Sequence, residues 1–196
     1  MKLNDMITWS AISLVVGVML VLVYPVFLIR NLGYHLRAPS VMLYAGVVFL
    51  IDRISKYLVQ ISIPSLPVSV YPDFFTLTFV KNPGVAFGWF PEWRLPPILM
   101  AVVMIAIISY YSFQLSPREK LTRWALALLV GGAIGNLYDR VVYGYVVDFF
   151  LFHFNSFDFP VFNVADVAID CGVILLFIDI FFLNTEEEPQ PVVAPA

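Results

Sequence analysis

Cysteine, histidine and charge are all scarce in these 196 residues. The single cysteine, Cys171, excludes an internal disulfide framework and a cysteine-based zinc site. His35 and His153 stand far apart and, in the topology derived below, on opposite sides, so they do not form a shared metal site. No Gly-x-Ser-x-Gly or Ser-x-x-Lys arrangement supports a serine nucleophile. Charged residues make up 13% of the chain, about half the share of an ordinary soluble domain. The 11 lysines and arginines are scattered without a basic stripe and the net charge is −3, which argues against a nucleic-acid partner. What fills the chain instead is apolar: 61% hydrophobic residues and a mean hydropathy of +0.88. A domain of this length buries only about 70% of the surface its unfolded chain exposes. The excess points to lipid as the solvent.

Five apolar runs approach the roughly 20 residues that cross a bilayer: about 7–29, 39–60, 95–113, 122–140 and 166–184. The first follows Lys2, but it is long for a signal peptide and lacks a small-x-small cleavage site before Arg30, so it reads as a retained anchor. The short connections 30–38 and 114–123 carry Arg30, Arg37, Arg118, Lys120 and Arg123, whereas the longer 61–94 and 141–165 hold only Lys81 and Arg94. Basic density therefore places the short connections in the cytoplasm. Residues 66–80 mix β-branched and aromatic side chains, with Phe75, Leu77 and Phe79 on one face and Thr76 and Thr78 on the other, which predicts a small sheet on the outer face. It ends at the turn residues Asn82-Pro83-Gly84. Seven phenylalanines in 149–162 read as an interfacial belt within a loop. The expected architecture is an all-α polytopic membrane protein, with a four-helix transmembrane core, an extra N-terminal span and a small extracytoplasmic β-sheet. Residues 1–38 form the additional anchor and cytoplasmic loop, 39–184 the membrane domain, and 185–196, with three glutamates and three prolines, a disordered cytoplasmic tail.

An ionisable side chain at membrane depth costs about 2.5–3.5 kcal/mol on insertion scales and needs a partner or a task. The candidates are Asp52, Arg53, Lys56, Asp139, Arg140, Asp166, Asp170 and Asp179, with Asp148 in the adjoining loop. All but Asp179 gather toward the outer boundary, and Asp179 lies near enough to the cytoplasmic end to reach water. Asp52 and Lys56 have the favourable i, i+4 order of a helical ion pair. Gly131 and Gly135 form a small-residue ridge that admits a close helix, and Asn136 and Arg140 share a face. That face suits either a packing clamp or a site holding carboxylates and peptide backbone. Asn163 is a good N-cap and Asp166 sits at N3, so Asp166 reads equally as a capping residue. Asp148, in the apolar run Val146-Val147-Asp148-Phe149-Phe150, has no local capping task. If these two acids face one another they share a proton, the arrangement by which aspartic proteases activate water. Asp170, one turn beyond Asp166, is expected to bond to a neighbouring helix.

Five segments in order resemble one family, lipoprotein signal peptidase (signal peptidase II), the bacterial aspartic peptidase of the inner membrane. They are Ile51-Asp52-Arg53-Ile54-Ser55-Lys56, Asn82-Pro83-Gly84-Val85-Ala86-Phe87-Gly88, Gly131 to Arg140, Val146-Val147-Asp148-Phe149, and Phe162-Asn163-Val164-Ala165-Asp166. The resemblance implies that Asp148 and Asp166 are the catalytic dyad. Asp52, Lys56, Asn82, Asn136, Arg140 and Asn163 would be the surrounding polar shell, with Gly84, Asp139 and Ala165 of the same segments as supporting positions. It implies a diacylglyceryl-modified prolipoprotein as substrate, cut before the lipidated cysteine. The enzyme would act as a monomer among membrane lipids, with its site at the extracytoplasmic face of the inner membrane and with no metal or organic cofactor. Residues 1–38 lie outside the resemblance, and Val85 replaces a smaller alanine. The reading from another class is a proton-coupled small transporter, motivated by the intramembrane carboxylates; their collection at one boundary and the lack of an internal repeat count against it.

Overall fold

Helix α1 (Pro39–Ile61) opens on a proline, whose missing N–H costs nothing in a first turn. The structure is a computed structural model and describes residues 39–62, 66–84, 95–116 and 118–183. The expected first span with Arg30 and Arg37, the acidic tail and Val85 lie outside the described residues. Helix α2 (Leu95–Ser112) also carries prolines in its first turn and buries only Ile98 and Ser112. Helix α3 (Lys120–Val142) is the central element, packed against the other three helices. Helix α4 (Val164–Ile178) begins with a full capping box between Asn163 and Asp166 and continues into a π-helical turn, Asp179–Leu183. Helices dominate, and α2 and α3 are long and apolar enough to cross a membrane by length and composition alone.

Glycines set how closely these helices meet. A Cβ on Gly131 would stand 2.7 Å from the Ala45 carbonyl oxygen of α1, and one on Gly132 would stand 2.5 Å from the Ala165 carbonyl oxygen of α4. On the same ridge, a Cβ on Gly135 would stand 2.6 Å from the Asp52 carboxylate. The expected ridge is present, and it serves two neighbouring helices instead of one.

The four-stranded sheet runs β1 (Val68–Tyr71), β2 (Phe75–Asn82), β3 (Val146–Phe154), β4 (Phe157–Asp158) in spatial as in chain order, every pair antiparallel. The connection 141–165, expected to be a loop, thus contains the central strand β3. Its first four residues are buried, so Val146-Val147-Asp148-Phe149 lacks the alternation that marks a strand with one wet face. Val147 and Phe149 form a core cluster with Val59 of α1, covered by Leu77 and Phe79 of β2. Several of the expected belt phenylalanines stack within the sheet region, as Phe152 does on Phe75 of β2 at 4.8 Å and on Phe162 at 5.8 Å.

Two expectations about acids are corrected. Asp179 does not reach water; it is buried and accepts a hydrogen bond from the Thr122 hydroxyl, joining α3 to the end of α4. Asp170 is exposed and makes no hydrogen bond or ion pair within the described residues, so it does not fasten α4 to any of the described helices.

Candidate active site

Asp148 and Asp166 come together because β3 and the start of α4 are stitched to each other. The backbone N–H groups of Phe149 and Phe150 both donate to the Phe162 carbonyl, at 3.0 and 2.8 Å. That pairing sets Asn163 beside Asp148. The Asn163 side-chain amide donates to Asp148 Oδ1 at 2.6 Å, while its backbone N–H donates to Asp166 Oδ2 at 3.1 Å. Capping and pairing are therefore the same geometry: the residue that starts α4 holds both acids.

Further amides complete the grip. Register pairs Val80 of β2 with Asp148, so Asn82 at the end of β2 reaches the same carboxyl and donates to Asp148 Oδ2 at 2.8 Å. Its own Oδ1 accepts from the Gly84 N–H at 2.8 Å, in a turn where Gly84 adopts a φ of 77°. Asn136 of α3 donates to Asp166 Oδ1 at 2.7 Å. All four carboxyl oxygens thus accept a hydrogen bond. Asp148 is 2% exposed, and burial pushes its carboxyl up to about 6. The amides of Asn82 and Asn163 oppose that rise, the charge of Asp166 adds to it and Lys56 offsets it.

Beneath the pair lies a buried ionic cluster. Lys56 Nζ reaches Asp52 Oδ2 at 3.1 Å, Asp139 Oδ2 at 2.9 Å and Asn136 Oδ1 at 3.0 Å, satisfying its three donors. Asp52 Oδ1 accepts from the Ala165 N–H, and Asp139 Oδ2 from the Val147 N–H, both at 3.1 Å. Ala165 is fully buried against the Gly135 ridge, which explains why only a small side chain fits there. Arg140 stays on the face of Asn136, donating to its carbonyl at 3.2 Å, and its Nε is buried with no partner among the described residues. Every site residue expected from the sequence is gathered here. Arg53, an ionisable candidate at this depth to which the sequence assigned no role in the site, donates to Asp139 Oδ1 at 2.6 Å and Asp52 Oδ2 at 2.8 Å. The signal available was the charge tally at one depth, in which two acids had a single assigned cation.

Fold and site define a helix-dominated protein with two long apolar helices and two carboxyls paired beside a small sheet. A solved bacterial membrane enzyme, determined by the in meso method, superposes with a TM-score of 0.67 at 29% identity, over 73% of this chain and 93% of that one. Among curated proteins, the lipoprotein signal peptidase of Symbiobacterium thermophilum is 40% identical over 71% of this chain and 93% of its own length. That of Desulfitobacterium hafniense is 46% identical over 68% of this chain and 87% of its own length. The family model described as signal peptidase (SPase) II matches residues 44–182. The chain belongs to the signal peptidase II family.

Proposed function

We propose that this protein is an intramembrane aspartic endopeptidase that removes the signal peptide from diacylglyceryl-modified prolipoproteins, with Asp148 and Asp166 as its dyad. The observation that carries the reading is the pair of acids held on all four oxygens by Asn82, Asn136 and Asn163, with mutual repulsion favouring one shared proton. One carboxylate takes a proton from water as the oxygen attacks the carbonyl carbon preceding the lipidated cysteine. The other, protonated, donates to the carbonyl oxygen. Collapse of the tetrahedral intermediate breaks the C–N bond as a proton passes to the leaving amine. Arg140, with its idle Nε, is suited to hold a substrate carbonyl.

Helices α1 to α4 form the four-helix transmembrane core, and the sheet rests at the outer face. The exposed apolar residues along α1 and α2, Leu50, Ile54, Leu58, Met100, Val103 and Ile107 among them, meet lipid. Residues 39–184 are the peptidase domain, a reading supported by the family match over 44–182. The protein is a multi-pass monomer of the bacterial inner membrane with an extracytoplasmic site. Proton-coupled transport is not favoured, because the family performs hydrolysis and the carboxyls cluster instead of forming a relay.

A gel-shift assay with purified full-length protein and a diacylglyceryl-modified prolipoprotein tests the reading. Asp148→Asn and Asp166→Asn are each expected to lower cleavage by about 10³-fold or more while inserting and accumulating normally. Cleavage at the wild-type rate by either variant overturns it.

A further inference from the structure

Two carboxylates and two cations are shut away together below the dyad. The side chains of Asp52 and Asp139 are 0% exposed, Lys56 is 1% exposed and Arg53 16%. Their formal charges sum to zero. Arg53 spends its two terminal nitrogens on the outer oxygens of the cluster, one on Asp139 Oδ1 and one on Asp52 Oδ2. Its guanidinium is held in place 4.7 Å over the Tyr138 ring and 6.0 Å from that of Phe49. Lys56 takes Asp139 Oδ2, shares Asp52 Oδ2, and still has a donor for Asn136 Oδ1, whose amide in turn donates to Asp166.

The arrangement divides labour between the cations. With Lys56 alone, two buried carboxylates would face one positive charge, leaving an uncompensated negative charge where the dielectric is low. With Arg53 present the two acids are balanced, and the lysine's field is free to act on the asparagine it touches. A polarised Asn136 is a stronger donor to Asp166. The acids are also wired to the dyad's own neighbours, since Asp139 accepts from the N–H of Val147 and Asp52 from that of Ala165.

We propose that Arg53 is a positioning residue for cleavage: by neutralising Asp52 and Asp139 from the side away from the dyad, it leaves the charge of Lys56 to act through Asn136 on Asp166. The inference rests on the dyad reading above. The charged groups that bear on the dyad are Lys56 from α1, which acts on both acids, Arg140 from α3, which acts on Asp166, and Asp166 itself, which acts on Asp148; Asp139 of α3 acts on Arg140. Arg53 reaches the dyad through this set and touches neither acid of the pair.

The test is the pH dependence of cleavage by full-length wild type, Arg53→Gln, Arg53→Lys and the double variant Arg53→Gln/Asp139→Asn, with Asp148→Asn and Asp166→Asn alongside. Removing the charge leaves the cluster at −1 and makes an ionised dyad harder to form. The profile of Arg53→Gln is therefore expected to move to higher pH by about 0.5–1 unit, less than the ~1–3 units of a charge in direct contact. Arg53→Lys keeps the charge but loses the fork, so its profile stays in place at reduced height. The double variant restores neutrality, and its profile returns toward the wild-type position even if Arg53→Gln alone accumulates too poorly to assay. A profile that Arg53→Gln lowers without moving, or that Arg53→Lys moves equally, overturns the proposal, as does a double variant shifted from wild type. Active Asp148→Asn or Asp166→Asn sinks the dyad reading itself, whereas dead dyad variants with an unmoved Arg53→Gln profile sink only the role of Arg53.

Discussion

Asp148 sits against its own stability. Its carboxyl titrates at about 6 when folded against an ordinary 3.8, because burial penalises the charge more than the amides of Asn82 and Asn163 relieve it. A folded pKa above the unfolded one means that the folded protein holds a proton the unfolded chain has released. The group's stabilising contribution is present below about pH 4 and is lost as pH rises through about 6. At pH 7.5 the ionised side chain is a net cost. Asp148→Asn is expected to raise stability there by about 1–2 kcal/mol, the linkage value reduced for residual solvent screening, while abolishing cleavage. Thermal unfolding in detergent at pH 7.5 and pH 4.5 checks this, with the gain shrinking at the lower pH; a variant less stable than wild type at pH 7.5 contradicts it. At this scale the sequence was informative where a residue had no local excuse: Asp148, with no cap to make, was the acid most clearly in need of a task. Arg53 stood among the ionisable candidates without a partner or task, because an arginine one residue from Asp52 on a helix reads as an ordinary neighbour, and its other partner, Asp139, lies 86 residues away.

At the scale of elements, α3 and α4 are held together by the absence of side chains. A methyl group on Gly132 would sit 2.5 Å from the Ala165 carbonyl oxygen, a backbone atom that cannot swing aside. Gly132→Ala is expected to push the start of α4 outward, costing about 1–3 kcal/mol and misplacing Asp166 relative to Asp148. Gly46→Ala is the control, since nothing lies within 4 Å of its Cβ position. Denaturation midpoint and cleavage rate, measured for both, are expected to fall only in the first; equal behaviour of the two removes close helix approach as the cause. The helices that carry these glycines were legible because hydropathy is a local property. Strand β3 was not. Its identity as a strand comes from the register Thr76↔Leu151, Val80↔Asp148 and Asn82↔Val146, which joins segments some 70 residues apart, and both faces of its first half are buried. A continuous apolar run with clustered phenylalanines looks the same whether it belts an interface or builds a sheet centre.

For the whole molecule, charge and chemistry make opposite demands on the two ends of the helices. Arg118 in the α2–α3 connection and Lys120 at the start of α3 carry the basic charge that, by the positive-inside preference, favours a cytoplasmic side for this end in the proposed orientation. The sheet and the paired acids lie at the other end of α3, Asp148 near the start of β3 and Asp166 in the first turn of α4. In the proposed function, a diacylglyceryl-modified cysteine whose mature chain has crossed the membrane meets the enzyme at that end. The proposed orientation therefore rests on both the loops and the proposed substrate, and a single experiment exposes a conflict between them. On a Cys171→Ser background, Ser156→Cys at the β3–β4 turn is expected to react with a membrane-impermeant maleimide in intact spheroplasts. Gln114→Cys in the α2–α3 connection, also exposed, is expected to react only after permeabilisation. The reverse pattern would place the paired acids in the cytoplasm, where no lipidated precursor has yet been translocated, and would break the link between Asp148, Asp166 and signal-peptide removal even if both acids proved essential.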